Sequence, residues 1–470
     1  MAYLSSTVEK TLTELKWLDA ASVMWDSHAH CWLALSQQWA GENWMQAAFY
    51  VDATKDPWWT QRFAASSKVG RTGRVQPCLT RTVFSSGPGV PIIAEVVSGQ
   101  ADLGIQMFNM INMTNTILGD GEVSRVTVVD ASLSERDILR RFQGSMNHDI
   151  VTVLKGPLAV GKKLENTGEW MNYRERDQLR EAEVNLEPTK AQGLRLRVVE
   201  MIRPDSCHPK PTWFITTADI HRLNTQQVAD IYLKRWPFQE DLFRRGRNGI
   251  GLERSSGYGV KKVAHVAIVD KREVADKKLQ RATESLQEAK RNENKAAEQL
   301  NAAQARLEEH SQANPTEING RHKLGVRLAK QRLKDRQQIC RKVEQIHSKA
   351  DEEAQKLQSM PDDIYVRDTA LDAVTTCLKM TLLALLEFIC QEYLEQYRLM
   401  PRTFIEAWMS LPVTIRQQQH CIIYEIAQNP RDPTMTRLLD RALERITARK
   451  LRIDGRLLVV RLRDSPCDSP

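Results

Sequence analysis

VSRVTVVDASLSERDILRRFQGSMNHDIVTVLKG, residues 123 to 156, sets the fold class. VSRVTVVD is a run of β-branched residues with little polar alternation, the pattern of a strand buried on both faces. SERDILRRFQ reads as a helix that Ser134 is placed to cap, and HDIVTVLKG returns to a strand. Upstream, ADLGIQMFNMINMTNTILGD reads as a helix ended by Gly119. Before it, QAAFYVD, QPCLTRTVFSS and VPIIAEVVSG are short β-rich runs separated by Gly, Pro and Ser, as three meandering strands would be.

The resulting order, β-β-β-α-β-α-β, is that of the ribonuclease H-like fold, a mixed α/β sheet with helices on both faces. Residues 7 to 40 read as a preceding helix, with Trp25, Trp32 and Trp39 seven apart on one core-facing stripe. After the last strand the rhythm breaks. NYRERDQLREAEVNLEPTKAQG and the alternating LRLRVVEMI read as a β-rich insertion with at least one hairpin, before TWFITT and a further helix. From about 264 to 359 the composition turns to Ala, Glu, Lys, Gln and Arg. Leu279, Leu286, Leu300 and Leu307 recur in sevens beside Ala282, Ala289, Ala296 and Ala303, and Leu333, Val343, Ile346, Ala350 and Leu357 line a returning arm. Two such arms joined through ANPTEING predict an antiparallel coiled-coil hairpin.

The expected division is therefore an N-terminal helical segment (1–45), the first part of a core (46–156), a β-rich insertion (157–210), a returning core helix (211–262), the coiled-coil hairpin (263–360) and a C-terminal helical region (361–470).

At 470 residues the chain can bury several cores, and a net charge of +8 favours anionic partners, of which nucleic acid and acidic membranes are the common ones. The membrane alternative fails on pattern: the most apolar stretch, Met380 to Leu386, is bounded by Lys379 and Glu387, short of the ~20 residues a spanning helix needs. No leader pattern follows Met1 and none of the eight cysteines forms a C-x-x-C pair, so reduced thiols and a cytoplasmic location are expected. His28, His30 and Cys31 in HAHC, and Cys207 with His208, lack a second half at zinc-ligand spacing.

Three acids carry the chemistry. Asp52 ends the first predicted strand and Asp130 the fourth, and in this strand order those two are neighbours. Like charges that close need a counter-ion. Glu240 lies in IYLKRWPFQEDLFRRGRNGIGLERSSGYG, residues 231 to 259, on a helix expected to cross the same sheet edge. Three hard oxygen ligands suit Mg²⁺ or Mn²⁺, and two such ions can activate a water or 3′-hydroxyl and stabilise the departing oxygen of a phosphodiester. Arg235, Arg244, Arg245 and Arg247 around the Glu suit a nucleic-acid backbone. Lys155, at a strand end near the presumed site, is a further candidate for a phosphate contact.

The segment from Tyr232 through Arg235, Trp236, Gln239, Glu240 and Phe243 to Arg244, followed by Gly251-Leu252 and Tyr258-Gly259, resembles the DDE transposases of bacterial insertion sequences, in particular the insertion-sequence-4-like group. The resemblance spans roughly residues 5 to 262. It implies a ribonuclease H-like core, Asp52, Asp130 and Glu240 as a triad for two Mg²⁺ or Mn²⁺ ions, and Tyr232 and Arg235 on phosphates of the transposon end. Trp236 would support a displaced base, and Arg244 or Arg247 stands where the group has a lysine. The implied partner is double-stranded DNA, both inverted-repeat ends and target, bound by a homodimer in the bacterial cytosol, with the helical hairpin a candidate for pairing protomers. Relative to the commonest signature, one extra residue separates Arg235 from Glu240, and Ala131-Ser132 follow Asp130 where an arginine is usual.

Overall fold

The structure, a computed structural model, describes residues 5–40, 48–87, 89–119, 125–145, 148–154, 162–187, 193–204, 211–257, 259–313, 320–394, 399–428 and 432–463. They form two compact units: one of residues 1–60, 65–260 and 367–470, the other of 61–64 and 261–366.

The larger unit opens with two helices, α1 (Ser5–Trp17) and α2 (Ala20–Ala40), where the sequence pattern predicts one. Asp19, at φ 49°, turns the chain between them. Trp25 and Trp32 are buried; the side chain of Trp39 lies outside the described residues. Four strands follow, β1 (Ala48–Pro57), β2 (Ser66–Val69), β3 (Arg74–Ser86) and β4 (Val90–Ser98), then α3 (Leu103–Leu118), β5 (Arg125–Val129), α4 (Arg136–Ser145) and β6 (His148–Val153). Gly119 ends α3 at φ 74°, a backbone conformation that suits glycine. Ser134 does not cap α4: its hydroxyl donates to Ala131 O in the preceding 3₁₀ turn.

Strands β4-β3-β1-β5-β6 are neighbours in that order, with β1–β5 and β5–β6 parallel and β1–β3 antiparallel. The protein is thus mixed α/β around one large mixed sheet. Asp52 does not end its strand as expected. Pairing with β5 stops at Val51 opposite Val129, whereas pairing with β3 carries β1 on to Pro57. Asp52 and Asp130 are therefore the next residues along two parallel neighbours.

The described strands of the β-rich insertion expected at 157–210 join this same sheet. These strands, β7 (Leu164–Glu165), β8 (Met171–Tyr173), β9 (Asp177–Asn185) and β10 (Arg195–Ile202), extend it beyond β11 (Thr212–Thr216), in the order β6-β11-β10-β9-β7, with β8 on β9. The cause is pairing: β10 and β11 share five ladder positions and bury Val198, Val199, Phe214 and Ile215. Two helices then follow, α5 (Thr225–Arg235) and α6 (Asp241–Ile250).

The smaller unit is dominated by two long helices. After β12 (Val260–Ala264) come α7 (Val266–Ala313) and α8 (Gly320–Gln358), then β13 (Asp363–Arg367), which pairs with β12. Cross-links between Lys278 and Glu353, Thr283 and His347, and Lys290 and Glu344 run in opposite chain directions, so the helices are antiparallel. Ala275, Ala282, Ala289 and Ala296 are buried at seven-residue spacing. On α8 the expected Ile346 is exposed; Cys340, Ala350 and Ala354 are the buried residues, and His347 faces Thr283.

Within the larger unit, α9 (Ala370–Glu392) is, by length and composition, long and apolar enough to cross a membrane, an 18-residue window of it reaching a mean hydropathy of 1.8, contrary to the expectation from Met380–Leu386 alone. It packs as a core helix: Val374, Cys377, Met380, Leu383, Ala384 and Leu386 are buried, and its Glu387 pairs with Arg245 at 3.0 Å. The C-terminal region is not wholly helical. With α10 (Pro401–Phe404) and α11 (Pro433–Ala448) it carries β14 (Val413–Gln417), β15 (Cys421–Ile426), β16 (Arg452–Ile453) and β17 (Arg456–Leu462), a four-stranded sheet in the order β14-β15-β17-β16. VTIRQ and CIIYEI are β-branched runs, and strand propensity prevails there.

Candidate functional site

Alternate residues of β1 point to one face, and on one face they fasten, in order, to the segment that carries Glu240. Tyr50, fully buried, donates from its hydroxyl to Ile231 O at 3.3 Å and meets the Phe238 ring at 5.8 Å. Asp52 Oδ2 accepts from Arg235 Nη1 at 2.9 Å, and Thr54 Oγ1 donates to Glu253 Oε1 at 3.4 Å. The turn after β3 closes on the same segment. Gly89 has φ 98°, and a Cβ there would stand 3.0 Å from Phe238 O, so glycine permits the approach.

Between α5 and α6 the backbone widens into one π-helical turn, Trp236–Glu240. Pro237 has no N–H to give Leu233 and its ring crowds that carbonyl, which favours the wider turn. The consequence is rotational. Five residues along an α-helix turn a side chain about 140° away, whereas a π turn closes after five. Arg235 and Glu240 thereby share a face, with Arg235 Nη2 3.9 Å from Glu240 Oε1.

The guanidinium of Arg235 thus bridges Asp52 and Glu240. Asp130, reached from β5, accepts through Oδ1 from Ser132 N at 2.8 Å and from the Ser132 hydroxyl; Oδ2 takes no hydrogen bond among the described residues. Burial pushes the Asp52 carboxyl up to about 6; Arg235 and the Ala53 N–H oppose this, while the charges of Asp130 and Glu240 add to it. Those last two contributions register the three acids as electrostatic neighbours. Tyr232 belongs to the same group. Its ring lies 5.2 Å from Phe214 and 5.9 Å from the Arg235 guanidinium carbon, and burial raises its phenol, against Arg235 and with Asp130 and Asp52.

Among the described residues no three His, Cys, Asp or Glu side chains converge tightly enough to hold an ion as they stand. Arg235 instead supplies positive charge between two of the acids. The donor chemistry, carboxylate oxygens alone, is of the kind that suits a hard divalent cation; at Asp52 the positive charge present is the Arg235 guanidinium.

Of the residues singled out from the sequence, Asp52, Asp130, Glu240, Arg235 and Tyr232 come together. Arg244 lies apart, on Asp241 at 2.5 Å, and Arg247 on Glu253 at 2.7 Å. Trp236 is 65% exposed. Lys155 and Tyr258 lie outside the described residues, as do Cys207 and His208. Arg235, expected on DNA, here pairs with Asp52 and Glu240, and nothing in the sequence singles out Glu253. The dipeptide Glu253-Arg254 after Gly251-Leu252 carries no spacing signal that would have marked it.

The fold and these side chains define a mixed α/β protein with an acidic, arginine-bridged cluster where two parallel strands end their pairing. No family model matches the chain, and no curated protein matches it. Among solved structures it is similar to a cryo-EM structure of a piggyBac transposase synaptic complex with hairpin DNA, at 10% identity and a TM-score of 0.26. The overlap covers 43% of this chain and 40% of that one, so this chain spans less than half of that transposase's length.

Proposed function

We propose that the chain is a DDE-type transposase with a ribonuclease H-like core, cleaving DNA at transposon ends and joining the freed strand to target DNA. The observation that carries this reading is the meeting of Asp52, Asp130 and Glu240 from three separate elements, with Arg235 between two of them. The order β4-β3-β1-β5-β6 supports the core assignment. Asp52, Asp130 and Glu240 would hold two Mg²⁺ or Mn²⁺ ions, which when bound supply an activated water or 3′-hydroxyl and neutralise the leaving oxygen. Arg235 would give up Asp52 and turn to the DNA backbone, where a guanidinium pairs with phosphate in bidentate fashion. Tyr232, braced by Phe214, would line the strand's path, and Trp236 presents an exposed ring for a displaced base. Protomers would pair through the coiled-coil hairpin of the smaller unit.

The test is a Mg²⁺- or Mn²⁺-dependent nicking assay on DNA carrying the flanking inverted repeats. Asp52→Ala, Asp130→Ala and Glu240→Ala should each abolish nicking; unchanged nicking in any one removes that residue from the site. One observation favours a second reading, a decayed relative that binds DNA and oligomerises without cutting it: Asp52 is already bonded to Arg235, and Asp130 to Ser132. Duplex binding with no nicking in either metal would select it.

A further inference from the structure

A pocket of about 340 Å³ opens beside Asp52, lined by Ala53, Thr54, Lys55, Lys68, Arg71 and Arg247 among others. At its base Glu253, whose side chain is 13% exposed, accepts from Arg71 Nη1 at 2.6 Å and pairs with Arg247 Nε at 2.7 Å. Lys55 donates to Ser67 Oγ, a neutral partner, and Lys68 Nζ has no acceptor among the described residues. Three cations, Lys68, Arg71 and Arg247, therefore stand around one carboxylate, while the amine of Lys55 is turned to Ser67. Glu253 takes one donor from each arginine, and Arg71 Nη2 and Arg247 Nη1 and Nη2 have no protein acceptor among the described residues. A nearly buried carboxylate that fixes two half-exposed guanidinium groups while leaving donors free is a pre-organised anion site. Its location gives the anion a class: Thr54 lies two residues beyond Asp52 on the same face of β1, about 7 Å along the strand.

We propose that Lys68, Arg71 and Arg247, organised by Glu253, form a phosphate-binding subsite for the backbone of the nucleic-acid strand that runs past Asp52. Lys68 and Arg71 are its distinctive part, because they come from the β2–β3 hairpin, a segment with no role in the acidic cluster. The subsite rests on the reading that a nucleic acid reaches Asp52, and its test separates the two.

Binding of the full-length chain to a short fluorescein-labelled DNA duplex is measured by anisotropy over a series of salt concentrations, without divalent metal. The double variant K68A/R71A should bind more weakly, and its slope of log K against log salt should be shallower by about 1, the loss of one neutralised phosphate. Arg176→Ala, which removes an exposed arginine in the turn between β8 and β9, should leave the slope unchanged. An unaltered melting temperature for K68A/R71A excludes a folding defect. A slope that is the same in wild type and K68A/R71A, or that falls equally in Arg176→Ala, overturns the subsite. A wild type that binds with the expected slope difference yet never nicks leaves the subsite standing and the transposase reading lost. A wild type that nicks while K68A/R71A keeps the wild-type slope does the reverse, and failure to bind the duplex removes both.

Discussion

Asp52 and Asp56 stand four residues apart on one face of β1, yet their surroundings are opposites. Asp56 is buried with Arg81, Asp372 and Arg367, two cations beside two anions, in which Arg81 pairs with both acids and Arg367 Nε lies 3.3 Å from Asp372. No side chain in that set is more than 5% exposed. Asp52 shares one arginine with Glu240 and also faces Asp130, three anions against one cation, with the Glu240 side chain 47% exposed. A buried set must balance its charge within the protein, because an unmatched ion there costs several kcal/mol. An unbalanced set at the surface leaves room for charge from outside. The difference marks the first as a device of folding and leaves the second with negative charge that the proposed metal and DNA would balance.

The widest gap between the two should appear in activity. Asp52→Asn, Asp130→Asn or Glu240→Gln should lower DNA nicking on the order of 1,000-fold, about 4 kcal/mol of barrier, while leaving the far-UV circular dichroism of the folded chain intact. Arg81→Met should act in the other sense: roughly 3–5 kcal/mol of stability lost in urea titration, since it strands Asp56 in the interior and leaves Asp372 with Arg367. A mild effect there would mean that the buried set is wetter than its exposures indicate.

A buried group outside both sets calibrates the contrast. His28, on α2, is buried against β4 and α9, with Nε2 donating to Pro91 O at 2.9 Å and Nδ1 2.9 Å from Thr381 Oγ1; burial lowers it to about 4, partly opposed by the Pro91 bond. Its folded value lies below the ordinary one, so the unfolded chain binds the proton more readily between about 6.5 and 4 and stability falls as the pH drops through that window. The contribution is about 3 kcal/mol at 1.36 kcal/mol per pH unit, and His28→Gln should flatten that part of the stability profile. Equal profiles for the two proteins would show that His28 is not buried neutral.

The smallest expected effect concerns Asp52 itself. Its carboxyl is raised, so the stability present below the usual carboxylate range is lost as pH rises through about 6. Above that pH, Asp52→Asn should raise the melting temperature by about 1–2 °C, roughly 1 kcal/mol, in metal-free buffer. A fall would place Asp52 with Asp56 among the residues that hold the fold.

What could be read in the sequence follows from how local each cause is. The strand–helix–strand unit around Asp130 is encoded in its own apolar runs, and the adjacency of Asp52 and Asp130 follows from strand order. The full length of β1 depends on pairing with β3, which no local pattern records. The joining of β10 to β11 is likewise a tertiary choice, because an alternating LRLRVV pairs equally well with a partner in a separate module. The π turn was hidden because spacing rules assume 3.6 residues per turn. Pro237 inside an otherwise helical run was the one local sign of it. On α8, Ile346 and His347 differ by one position, and only the partner helix decides which faces inward.

The most direct measurement is the melting temperature of wild type, Asp52→Asn, Asp130→Asn and Glu240→Gln with and without Mn²⁺. If the three carboxylates share divalent cations, Mn²⁺ stabilises the wild type and little or none of that stabilisation survives in any variant. An equal shift in all four proteins, or none in the wild type, would contradict a metal site built from Asp52, Asp130 and Glu240.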